Sequence, residues 1–254
     1  MPDDSLSVFF AAEGPRVFAH RGLATGAPEN TLLAFLTALS AGATHLETDV
    51  HASLDGVAVI SHDPDLTRVS RHVRIDQLTA TELKRVSLGN GQFVPSLAEA
   101  LDAFPEALFN IDIKSDAAVG PAATAIIAAR ATPRVLVTSF SESRRRRAVA
   151  LLPGVATSAS SAGVLKAVLA ASFAPTSVLR RSLTGISAVQ VPEKAGGLRI
   201  VTPRFVRAMH SVGVEVHVWT VNDSVDMQRL LALGVDGLVT DRADRAVALI
   251  PPRT

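Results

Sequence analysis

Apolar and polar positions along this chain keep two periods, two and about 3.6 residues, and the chain switches between them almost to its end. Short runs rich in Val, Ile and Leu read as strands at 16–20 (RVFAH), 45–50 (HLETDV), 57–61 (VAVIS), 108–113 (LFNIDI) and 134–138 (RVLVT). Further runs follow at 154–158 (GVATS), 186–191 (ISAVQV), 214–220 (VEVHVWT) and 237–240 (GLVT). Between them, helical spacing marks 30–41, 96–104, 117–130, 142–152, 161–172, 203–212 and 224–233. Asp223 is an N-cap candidate with Asp226 three residues on, and Gly213 and Gly234 stand just past helix ends.

Repeated strand–helix alternation over 254 residues predicts an α/β fold with a parallel sheet. A closed TIM (β/α)8 barrel is the commonest form at this length, and a doubly wound open sheet is the competing architecture. Nine strand candidates for eight barrel positions leave one in excess. The region 45–61 is the awkward one, because Asp55-Gly56 is a hairpin signal. Residues 63–95 break the alternation: they are polar, carry a weak helix at 79–86, and read as an insertion above a barrel loop. No repeat, low-complexity tract or linker stands out, so 1–254 is expected to form one barrel domain carrying that insertion.

Composition acts mainly by exclusion. A formal net charge of +1 gives no electrostatic reason to expect nucleic acid or an anionic membrane as partner. Without cysteine there is no disulfide, thiolate metal site or cysteine nucleophile. The start, MPDDSLSVFFAAEGPR, carries acids where a signal peptide carries positive charge. No apolar stretch approaches the roughly 20 residues that cross a bilayer. The expectation is a cytoplasmic protein without stable membrane insertion, its oligomeric state unassigned.

Chemistry is expected where barrel strands end in polar residues. The first strand ends at His20, followed by Arg21-Gly22. The second carries Glu47 and Asp49 on one face, two like charges costly to bury unpaired. The run 57–61 leads into His62-Asp63, and 110–114 (NIDIK) puts Asn110, Asp112 and Lys114 on one face. Three carboxylates, Lys114, Arg21 and two histidines form a coherent set for a phosphate ester held by Mg²⁺ or Ca²⁺. Such a cation relieves the carboxylate repulsion and polarises a phosphoryl oxygen, while the basic side chains hold other phosphate oxygens. Histidines suit the base and acid roles.

These residues fall in motifs with a known order: HRG (20–22), PENT (28–31), ExD (47–49), DG (55–56), HD (62–63), NIDIK (110–114), VWTVN (218–222) and GVDGLVTDRAD (234–244). Together they closely resemble the glycerophosphodiester phosphodiesterase family, from about residue 16 to 245. The resemblance implies a TIM barrel of the phospholipase C-like phosphodiesterase type with a small inserted subdomain. It also implies metal-dependent hydrolysis of glycerophosphodiesters to glycerol 3-phosphate and an alcohol, with the substrate's own glycerol hydroxyl as the attacking group. By resemblance, His20 and His62 are catalytic (His20 taken as base, His62 as acid), Glu47, Asp49 and Asp112 bind the metal, and Arg21 and Lys114 contact phosphate. Glu29 and Trp219 resemble pocket residues. The family usually has Glu where this chain has Asp112, whose shorter side chain reaches a metal only if the ion shifts or a water intervenes.

Plainer roles compete for other residues. His45, His51, His72, His210 and His217 read as structural or surface histidines, Asp241 and Arg242 as a structural ion pair, and Arg144–Arg147 as a solvated helix face. Two further functions remain open: a lysophospholipase D-like phosphodiesterase, which needs an apolar track for an acyl chain, and a non-catalytic barrel that binds phosphodiesters.

Overall fold

The computed structural model of the chain describes residues 8–11 and 14–250; the acidic start weighed against a signal peptide lies outside them. Eight strands run parallel: β1 (Arg16–His20), β2 (His45–Ala52), β4 (Leu108–Ile113), β5 (Val135–Thr138), β6 (Ala156–Thr157), β7 (Ala188–Pro192), β8 (Glu215–Trp219) and β9 (Gly237–Thr240). Their order is β6-β5-β4-β2-β1-β9-β8-β7, and a parallel bridge from Ser158 to Ala188 brings β6 beside β7, so the ring is nearly closed. Helices wrap the outside, as the alternation of periods predicts.

Each strand divides its side chains between two layers. Leu46, Val50, Ile111 and Ile113 point outward into the main core with the helices. Inside, the rings of Phe18, His45 and His217 stack with centroids 4.9 and 4.6 Å apart, and Phe9 lies 5.0 Å from His45. Gly237 leaves the room this stack needs, since a Cβ there would stand 2.6 Å from the Phe18 ring. His217 is fully buried and bonds to Glu215 at 2.9 Å, a structural histidine of the barrel interior.

The surplus strand candidate is 57–61. There β3 (Ala58–Ile60) pairs antiparallel with β2, Val50 against Ile60, closing a hairpin through Asp55-Gly56. Strand β2 runs on to Ala52, past its last pairing with β1 at Glu47. The returning strand therefore comes back to the level of Asp49, where the Ser61 amide donates to the Asp49 carbonyl at 3.0 Å. His62 follows at once, which is how a hairpin delivers it to the rim that carries Asp49.

After it, the insertion packs Leu66, Ile75, Leu83, Val86 and Val94 into a small core of its own beneath Val59. Its helix is one turn, Ala80–Leu83, shorter than the spacing suggests, opened by a Thr79–Glu82 capping box. Two helices escape the sequence pattern, Thr176–Ser182 and Ala243–Leu249, each only seven residues long. No helix among the described residues is long and apolar enough to cross a membrane.

Candidate active site

The turn after β1 begins the site. Arg21 is left-handed (φ 56°) and Gly22 has φ 83° with the Ala34 backbone 2.7 Å from where a Cβ would stand, so only glycine fits there. This turn aims the Arg21 amide at Glu47 Oε2 (3.0 Å) and its side chain at Glu29 Oε1 (2.9 Å) and Asp49 Oδ2 (3.2 Å). Asn30, also left-handed, accepts from Thr48 Oγ1 (2.8 Å) and donates to Asp49 Oδ2 (3.1 Å).

Adjacent register on β2 and β4 sets Asp49 beside Asp112. Lys114 Nζ lies between them, 2.8 Å from Asp49 Oδ1 and 2.6 Å from Asp112 Oδ2. Burial raises the Asp49 carboxyl, but Lys114 and Arg21 outweigh it and hold Asp49 below the usual carboxylate range. Asp112 is pushed up, because its burial exceeds what Lys114 returns. Glu47 is also pushed up, to about 8, first by burial and then by the neighbouring charge of Asp49. The cluster therefore holds more carboxyl groups than Lys114 and Arg21 can keep ionised.

Two buried oxygens on the cavity wall, Asp112 Oδ1 and Asn110 Oδ1, have no hydrogen-bond partner. Unpaired hard oxygens beside carboxyls that lack a counter-charge fit a divalent cation in donor type and in charge. As the side chains stand, no three His, Asp or Glu groups converge as ligands among the described residues, since Lys114 occupies the gap between two of the carboxylates.

Both histidines carry a carboxylate on Nδ1. His20 Nδ1 lies 2.7 Å from Asp241 Oδ1, and His62 Nδ1 lies 2.8 Å from Asp63 Oδ1. Each pairing leaves Nε2 turned away from that carboxylate, and His20 Nε2 stands 4.0 Å from Glu47 Oε2. For His20, burial works against the imidazolium, but the bond to Asp241 and the charge of Glu47 outweigh it and raise its pKa. Asp241 is itself held by Asn222 Nδ2 at 2.7 Å. The expected Asp241–Arg242 ion pair is not formed: Arg242 turns to Asp244 (2.6 Å), and the end of β9 points Asp241 at β1 instead.

His20, Arg21, Glu47, Asp49, His62, Asp112, Lys114 and Trp219 all line one cavity of about 870 Å³ at the strands' carboxyl ends. Glu29 stands behind it, bonded to Arg21 and Arg68. Trp219 meets Phe140 edge-on, centroids 6.1 Å apart. The arginine run is only half solvated: Arg145 is buried on Glu142 and Arg144 reaches the Ile113 carbonyl, while Arg146 and Arg147 face water. Asn30, Asn222 and Asp241 support the polar wall without having been singled out for it. The PENT, VWTVN and GVDGLVTDRAD motifs hold all three, but nothing local shows which partner each finds.

A family model described as the glycerophosphoryl diester phosphodiesterase family matches residues 20–245. A Mycobacterium tuberculosis protein named a probable glycerophosphodiester phosphodiesterase is 40% identical over 242 residues, covering 94% of this chain and 92% of that protein. A glycerophosphodiester phosphodiesterase of Caldanaerobacter subterraneus is 27% identical, covering 92% of this chain and 97% of its own. Among solved structures, an Oleispira antarctica phosphodiesterase in complex with the product sn-glycerol-3-phosphate superposes with a TM-score of 0.77 at 23% identity, covering 93% of this chain and 96% of that one. That likeness bears on the fold alone, a TIM barrel. The match of nearly the whole chain, together with its 40% identical relative, shows that the chain belongs to the glycerophosphoryl diester phosphodiesterase family.

Proposed function

We propose that the chain hydrolyses glycerophosphodiesters to glycerol 3-phosphate and an alcohol, with His20 and His62 as its acid–base pair and a divalent cation as cofactor. One observation carries this: two imidazoles, each with its Nδ1 bound to a carboxylate, line a single cavity with Lys114 and Arg21.

Glu47, Asp49 and Asp112 would hold the cation, with Asn110 Oδ1 as a neutral oxygen beside them. When bound, it supplies positive charge to the phosphoryl oxygens. Lys114 and Arg21 orient the phosphate, Lys114 through the N–H not engaged by the two aspartates. His20 takes the proton of the attacking hydroxyl at Nε2, and Asp241 fixes the tautomer that leaves this nitrogen bare. His62 gives the proton from its Nε2 to the departing alkoxide, with Asp63 behind it. Where the attacking group is the glycerol hydroxyl next to the phosphate, water opens the cyclic ester with the two histidines exchanging roles.

The test is release of glycerol 3-phosphate from glycerophosphocholine and glycerophosphoglycerol by the purified chain with Mg²⁺ or Ca²⁺. Release that disappears in His20→Ala and His62→Ala is expected. No release from either substrate with either ion would make the chain a phosphodiester-binding barrel and not an enzyme of this reaction.

A further inference from the structure

The cavity that holds the catalytic residues does not end with them. It continues as a trough whose far wall is the helix Ser161–Phe173 and whose near wall is the ribbon of Lys194–Ala195 and Leu198–Arg199. The helix buries Ala167 and Ala170 against the barrel and turns Val164, Leu165, Val168, Leu169 and Phe173 to the trough. Across from them stand Leu198 and Ile200, and Phe140 and Trp219 mark the junction with the polar site.

This lining is more exposed than a structural role requires. Phe140, Leu165, Leu169, Phe173 and Leu198 are between 53% and 87% exposed, although each is large and apolar. Single exposed leucines are ordinary, but a contiguous set bordering a catalytic cavity marks a binding surface. Among the described residues that line the trough beyond the junction, Arg199 alone is charged, and it is paired with Glu193 at 3.5 Å; Lys194 of the ribbon stands outside the lining. At the junction, Lys114 Nζ lies 5.6 Å from the Phe140 ring centre, so the phosphate end and the apolar end meet at one side chain.

On the reading that the chain is a phosphodiesterase, we propose that its trough takes the acyl chain of the substrate, which is a single-chain lysophospholipid. The lining positions from 164 to 173 run about 14 Å at the helical rise, the scale of a medium-length acyl chain. A cavity of about 870 Å³ lies within the range that encloses one small amphiphile, and a two-chain lipid exceeds it. In this reaction the bond between phosphorus and the head-group oxygen breaks. The oxygen of water ends on phosphorus and one of its protons on the released alcohol, leaving a monoacylglycerol 3-phosphate.

The experiment compares kcat/KM for glycerophosphoglycerol with that for octanoyl and lauroyl lysophosphatidylglycerol, all below their micelle concentrations and with Mg²⁺ present. The expected gain is about twofold per added methylene, the share of a full burial that a half-open trough leaves. Leu165→Asn with Leu169→Asn, both exposed and outside the core, is expected to abolish that chain-length dependence. Binding is read separately from the fluorescence of Trp219, the only tryptophan, as lysophosphatidylglycerol is titrated in. Turnover of glycerophosphoglycerol with no gain for the lauroyl substrate overturns the proposal, as does a gain that survives the double substitution. Preference for two-chain phosphatidylglycerol vesicles, or a dimer that dissociates on the same substitution, assigns the trough to a lipid surface or a second copy and also overturns it. Hydrolysis of no substrate, with a saturable Trp219 shift that the double variant loses, supports the trough and refutes the phosphodiesterase reading alone.

Discussion

The two walls of the cavity are built on opposite plans. On the β1–β2–β4 side, Asp49 alone accepts from Asn30 and pairs with Arg21 and Lys114, and the Glu47 carboxylate accepts from a backbone amide. On the other side, the helix Ser161–Phe173 offers half-exposed apolar side chains with no polar partner to fix them. The first wall is preorganised for charge that develops in a reaction. The second acts through contact area, which discriminates among ligands without touching phosphorus. Chemistry and substrate choice are therefore separable, and each substitution should move kcat or KM according to its wall.

The sharpest break removes the charge the first wall lacks. Stripping divalent ions with a chelator is expected to abolish glycerol 3-phosphate release while leaving the Trp219 fluorescence change on lysophosphatidylglycerol binding, which depends on the second wall, in place; turnover that survives chelation would refute the cation at Glu47, Asp49 and Asp112. Next come the histidines. His20→Ala and His62→Ala should each lower kcat by about 10²–10⁴-fold, the range of a lost general acid or base. A variant of either that keeps its rate would remove that residue from the mechanism.

Asp241→Asn tests how far the polar wall extends. The change keeps the shape but lets Nδ1 of His20 lose its acceptor, so a fall of roughly tenfold to a hundredfold in kcat is expected. That is less than the ~10⁴ known for a buried triad aspartate, because the Asp241 side chain is half exposed. KM should change little. Arg242→Ala, which breaks only the pair with Asp244, should leave both constants within about twofold, as surface pairs contribute little. If the two substitutions behave alike, Asp241 is a surface acid and not a partner of His20.

The polar wall was largely legible from sequence, and the apolar wall was not. Period two in a strand places Glu47 with Asp49, and Asn110 with Asp112 and Lys114, on one shared face, and the barrel turns that face toward the cavity. Asp241 was misassigned because its partner is 221 residues away and becomes a neighbour only when β9 closes on β1. The hairpin at Asp55-Gly56 was recognisable as a turn, but the return of His62 to the rim depends on β2 overrunning its neighbour β1. The trough needs a helix face, a two-residue ribbon and a loop phenylalanine to meet, and no periodicity within one segment encodes that meeting. Helix Ser161–Phe173 looked like any amphipathic barrel helix; what distinguishes it is that its larger apolar side chains face outward to the cavity and its alanines inward.

The smallest expected effect concerns what holds that helix in place. Glu142 begins the helix Glu142–Leu151, pairs with Arg145 at 2.8 Å and Arg146 at 2.6 Å, and bonds Ser160, the N-cap of the trough helix. These bonds, Arg145 first, hold its carboxyl down at about 2 from an ordinary 4.5. A depressed carboxyl binds its proton less readily folded than unfolded. Its contribution to stability is thus full above pH 4.5 and fades as pH falls toward 2. Glu142→Gln should accordingly lower the unfolding midpoint modestly at pH 7, and the gap to the parent chain should close between pH 4.5 and about 2. Urea denaturation followed by circular dichroism at several pH values measures both. The variant should also weaken the acyl-chain dependence of kcat/KM without touching the rate on glycerophosphoglycerol, because Ser160 anchors only the apolar wall. A gap that stays constant with pH would mean that Glu142 acts through packing and not through its charge.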